Sequence, residues 1–184
     1  MDIWTALQWV MQDQKADRAF AANDDFAQLD PGGSVTASVM DASAMGARID
    51  GGGRMRAADL DPDAELIWTM VDLMARQNRA GAITALILPT VPVQMRRYAL
   101  RCQPVAAMVA CARRGEMPDW IQGGVRNAAG LTRREVEESR LEYLMVWEAM
   151  TILCTRLRAS PTMGIAIEMP GIARAPWNAR KKTA

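Results

Sequence analysis

Apolar residues recur at helical spacing along most of the chain, most clearly over Thr132–Arg158, TRREVEESRLEYLMVWEAMTILCTRLR. Val136, Tyr143, Trp147, Met150, Cys154 and Leu157 fall on one stripe when successive residues turn about 100° apart. Thr132 and Glu135 have the spacing of a capping box, and neither Pro nor Gly follows before Pro161. The pattern predicts one long C-terminal helix over about 132–158, roughly 40 Å long. From Tyr143 to Cys154 the only charge is Glu148, so this half must be covered by other elements or by a second copy of the chain. It is too short an apolar run for a membrane span, which needs about 20 residues.

The same periodicity predicts a first helix from Ile3 to about Ala22, with Asp2 as cap, and its stripe of Ile3, Trp4, Leu7, Val10 and Met11 needs a surface to dock on. Asp61-Pro62 marks another start, since proline at the first helical position loses no hydrogen bond, and the apolar face runs from Leu66 to about Gln77. GAITALIL over 81–88 reads as a short helix by its neighbours, and Pro89, Pro92 and Pro104 leave two more, Val93–Cys102 and Val105–Arg114, the latter closed by Gly115. The organisation is an N-terminal helical segment (1–29), a flexible linker rich in glycine and small residues (30–60), a compact helical core (61–158) and an irregular basic tail (159–184). The fold class is all-α, with an apolar mass drawn largely from Ala, Leu, Val and Met.

Composition narrows the chemistry. No histidine occurs, which removes Ser-His-Asp and Cys-His nucleophilic machinery and every imidazole zinc site. Cys102, Cys111 and Cys154 are too few for an all-thiolate zinc site and have no CxxC spacing; an odd set of thiols fits a reducing cytoplasm. The GGGRMR run lacks the spacing of a phosphate loop. Asp59, Asp61, Asp63 and Glu65 supply hard oxygens of the kind a divalent cation takes, but carboxylates at the positive end of a helix explain them more simply. No enzyme, cofactor or metal is expected.

Charge is divided. Residues 1–91 hold 7 Lys/Arg against 13 Asp/Glu, a balance of −6, and residues 92–184 hold 15 against 8, a balance of +7. Such asymmetry is a signature of interaction: either the halves neutralise one another, or the basic half meets an anion such as nucleic acid. Arg96, Arg97, Arg101, Arg113, Arg114, Arg126, Arg133 and Arg134 are the candidate nucleic-acid-binding residues. Arg133 and Arg134 stand in the first turn of the long helix, against its dipole, which an external anion or pairing with Glu137 and Glu138 would relieve.

GLTRREVEESRL is similar to the opening of the second helix in helix-turn-helix proteins, although the turn that should follow is missing. The order of features (WTALQWV, a glycine-rich gap, RMR with DPDAELIWTMVDL, then ACARRGEMPDW and a terminal helix) resembles small helical proteins of bacterial prophages. Its first part is similar in layout to phage late-gene antitermination proteins of the Q type. That resemblance implies a regulator that binds duplex DNA near a promoter and loads onto RNA polymerase. The competing expectation is a non-catalytic helical interaction protein, or a homodimer joined through Tyr143–Cys154, with no nucleic-acid role.

Overall fold

The computed structural model describes residues 1–19, 60–120 and 130–178, and among these the protein is helical with no named strand. In chain order the helices are α1 (Ile3–Gln8), α2 (Ala16–Ala19), α3 (Pro62–Arg79), α4 (Ala82–Ile87), α5 (Arg96–Ala99), α6 (Pro104–Arg114) and α7 (Arg133–Arg158). A π-helical turn, Trp9–Asp13, follows α1, and 3-10 turns at Leu88–Thr90 and Val93–Met95 join α4 to α5. The all-α class holds. The linker over 30–59 and Arg126 lie outside the described residues.

Helix starts follow local chemistry. The Thr132 hydroxyl accepts from the Glu135 N–H (3.3 Å) while the Glu135 carboxylate accepts from the Thr132 N–H (2.7 Å), closing the capping box of α7. Asp61 accepts from the Asp63 N–H at 2.9 Å, with Pro62 in the first turn of α3. Gly115 ends α6 at φ +78°, a left-handed conformation that a Cβ would strain.

α7 is the axis of the packing. Its second half is surrounded by α1, α3, α4 and α6, with Leu141, Met145, Val146, Ala149, Met150, Leu153, Cys154 and Leu157 in the core. Two positions differ from the sequence reading: Val136 and Trp147 are only half-buried, because the buried stripe passes beside them through Leu141, Met145, Val146, Ala149 and Leu153. Most of Tyr143–Cys154 is covered by the chain's own elements, with Leu144, Trp147 and Ile152 left half-buried.

The first helix is interrupted. The π-helical turn Trp9–Asp13, closed by the Gln14 N–H on the Trp9 carbonyl, is followed by Lys15 at φ +48°, which redirects the chain before α2. The interruption lets the segment dock. Gln8 Nε2 donates to the Gly115 carbonyl (3.0 Å) and Gln12 Nε2 to the Ala112 carbonyl (2.9 Å), so glutamines of the N-terminal segment satisfy the open C-terminal end of α6. Ile3, Leu7 and Val10 are fully buried beneath.

After α7 the chain is irregular but closely fastened, forming a strap over residues 160–178. Side chains from the helices hold its backbone: Arg158 Nε donates to the Ile167 carbonyl (2.7 Å), the Tyr143 hydroxyl to Ala173 (2.8 Å) and the Trp147 indole to Ile172 (3.1 Å). Asp63 Oδ1 accepts from the Gly164 N–H at 2.8 Å. The strap reaches the N-terminal segment, where the Ile3 N–H donates to the Glu168 carbonyl and the Glu168 N–H to the Met1 carbonyl. Arg174 pairs with Glu148 at 2.6 Å, and Arg140 lies 5.5 Å from the Trp177 ring centroid.

Candidate functional site

The sequence-predicted arginines separate into two groups by their partners. Arg133 and Arg134 form i,i+4 ion pairs with Glu137 (2.9 Å) and Glu138 (2.8 Å), which offsets the unfavourable placement at the helix start from within the chain. Arg113 binds Asp17 at 2.9 Å and so ties α6 to the N-terminal segment. These three are engaged with carboxylates, Arg113 on α6 and Arg133 and Arg134 on α7, so their donors are taken up within the chain.

Arg96, Arg97 and Arg101 come together. The stretch Val93–Arg101 is helical, though not the single helix its periodicity predicts: Pro92 starts it as a 3-10 turn that closes with the Met95 N–H on the Pro92 carbonyl, and α5 proper lasts four residues. Its inner side is Ala99 with Met95 and Tyr98, and the Tyr98 hydroxyl donates to Glu142 of α7 at 2.5 Å. That bond fixes which side faces out. Val93, Arg96, Arg97, Leu100 and Arg101 are left exposed, Val93 at 73% and Leu100 at 63%. Arg96 Nε reaches the Val91 carbonyl (3.4 Å), and none of the three arginines has a carboxylate partner among the described residues.

A feature of the sequence explains why. Between Asp72 and Glu116 there is no Asp or Glu, while seven arginines occur. Dividing the chain into an acidic and a basic half splits this run near its middle and hides it. Counting acids in a sliding window would have exposed it.

Behind this face, a groove of about 350 Å³ runs between α6 and α7. Its walls are Pro104, Ala106, Ala107 and Ala110 on one side and Met145 and Val146 on the other. Cys102, Gln103 and Glu142 close one end; Cys111, Arg114 and Pro118 line the other. Pro104–Arg114 spans about 15 Å at 1.5 Å per residue, which sets the length. Arg114 Nη2 donates to Cys111 Sγ at 3.5 Å and has no carboxylate partner among the described residues.

The groove offers recognition more readily than catalysis. Burial, with Glu142 and Glu138 nearby, pushes the Cys102 thiol up to about 11, and burial raises Cys111 as well, only partly offset by Arg114. Both are protonated at neutral pH and poor nucleophiles. Burial and the Glu142 carboxylate hold the Tyr98 phenol well above its usual value, so it remains a hydrogen-bond donor.

Two of the four carboxylates that suggested a cation are otherwise engaged, Asp61 as the cap of α3 and Asp63 by the strap, while Glu65 is exposed in the first turn of α3 and Asp59 lies outside the described residues. Among the described residues no cluster of three or more metal-ligating side chains occurs, and no helix is long and apolar enough to cross a membrane. No family model, curated protein or solved structure matches the chain.

Proposed function

We propose that the protein is a non-catalytic regulator that binds the backbone of duplex DNA through the exposed face of Val93–Arg101. One observation carries the reading: Arg96, Arg97 and Arg101 share that face with no carboxylate partner among the described residues, inside a 43-residue stretch, 73–115, that contains no acid. Guanidinium groups with open donors suit phosphate oxygens, and the stretch that carries them contributes no acid of its own to repel phosphate. The layout resemblance to antitermination proteins of the Q type points the same way, and free Cys102, Cys111 and Cys154 fit a reducing compartment.

The test is a fluorescence-anisotropy titration with duplex DNA across a salt series. Each neutralised phosphate contributes about −0.9 to the logarithmic salt slope, so Arg97→Ala with Arg101→Ala should shrink the slope by about two. Arg133→Ala with Arg134→Ala should change it far less. Absence of salt-dependent binding in the unsubstituted protein sinks the proposal.

A second reading rests on Val93 and Leu100, apolar side chains among the arginines that a phosphate backbone does not use. The face then docks on an acidic protein surface, as a polymerase-associated regulator requires, with an apolar centre and a charged rim. Val93→Ser with Leu100→Ser separates the two readings: it leaves DNA affinity unchanged and weakens a protein contact.

A further inference from the structure

The groove between α6 and α7 has a polarity that its apolar walls do not explain. Arg114 stands at one end with guanidinium donors left over after its contact with Cys111 Sγ. Glu142 stands at the other, already accepting from the Tyr98 hydroxyl. Between them, Ala106, Ala107 and Ala110 are half-buried and carry no side chain beyond Cβ, so the wall of α6 leaves a shallow track for a slender chain over a floor closed by Val146. The volume of about 350 Å³ falls at the lower end of the range for small-ligand sites, and the combination of apolar walls with one oriented charge is characteristic of them.

We propose that this groove binds a small monocarboxylate with an unbranched apolar tail, its carboxylate on Arg114 and its tail along Ala110, Ala107 and Ala106. Guanidinium–carboxylate pairing is bidentate and directional, which fixes the orientation. The tail runs toward Glu142, and the negative charge there rejects a second carboxylate at the far end. A cationic head is repelled at Arg114, and placed at the other end beside Glu142 it would leave Arg114 without a counter-charge. Phosphate-rich ligands gain nothing from alanine, proline and valine walls. The ligand is held, not transformed, since the two thiols lining the groove are protonated. Arg96, Arg97 and Arg101 take no part, so the inference stands independently of DNA binding.

The experiment is a calorimetric titration of the full chain with decanoate, kept below its micellar concentration. One saturable site is expected, and occupancy should slow alkylation of Cys102, followed by mass spectrometry. Arg114→Gln should weaken binding about tenfold or more, as loss of a charged hydrogen-bond pair does. Because Arg114 is exposed, this variant should keep the thermal midpoint of the unsubstituted protein. Ala107→Phe, which fills the groove and leaves both charged ends in place, should abolish binding, and decanedioate and decylamine should fail to bind. The proposal is overturned by the absence of a saturable site for decanoate, by unchanged affinity in folded Arg114→Gln, or by equal binding of decylamine.

Discussion

The two halves of α7 belong to one uninterrupted helix and are held by different forces. Arg133 to Ser139 has no fully buried residue; its order comes from the Thr132–Glu135 box, the Arg133–Glu137 and Arg134–Glu138 pairs, and the Ser139 hydroxyl on the Glu135 carbonyl. From Leu141 to Leu157 the helix is enclosed by α1, α3, α4, α6 and the strap, with Ala149, Met150, Leu153 and Cys154 at zero exposure. Local bonds decide where the helix begins, and burial decides whether the protein folds. The first half contributes a few small terms close to the surface; the second carries terms of several kcal/mol.

The difference is broken most strongly at Leu153. Leu153→Ala removes a fully buried side chain from the centre of the second half and should cost about 2–5 kcal/mol, read as a lower midpoint in urea denaturation. A midpoint unchanged by that substitution would contradict the enclosure described for α7. In the first half, Thr132→Ala removes the cap and should cost about 1 kcal/mol, with faster amide exchange confined to the first turns of α7. Acceleration extending to Leu153 would mean that the halves are not separable.

The smallest effect sharpens the comparison by pH. Hydrogen bonds from the Thr132 hydroxyl and N–H hold the Glu135 carboxyl below its usual 4.5, against a minor opposing effect of desolvation. A lowered folded value means that the carboxylate's support is fully present above 4.5 and is lost as pH falls through the lower folded value. Amide exchange of the first turn, corrected for its intrinsic pH dependence, should therefore lose protection in that acid window. Glu135→Gln should remove the pH dependence of this local protection.

What could be read from the sequence follows the same division. The Thr132–Glu135 box, the Asp61-Pro62 start and the Gly115 stop are written in residues within four positions of one another, because the interactions they announce are that short. The Arg113–Asp17 pair joins residues 96 positions apart, and no spacing rule reaches that far. The same holds for the glutamine caps on α6 and for the strap, whose Ile165, Ile167 and Ile172 have no helical period to betray their docking. Of the candidate site, Arg96, Arg97 and Arg101 were legible as charges, but their common outward face depends on Tyr98 reaching Glu142. The groove was not legible at all, since it exists only where α6 lies against α7.

The Ile3–Glu168 hydrogen bond places a timing constraint on biosynthesis. A ribosome adding about 5–20 residues per second needs roughly 10–30 s to travel the 165 positions between those partners. Once the N-terminal stripe of Ile3, Leu7 and Val10 has emerged from the exit tunnel, part of the surface that finally covers it is still unmade. The nascent chain therefore exposes a sticky amphipathic segment for most of its translation, a natural target for chaperones that patrol the tunnel exit.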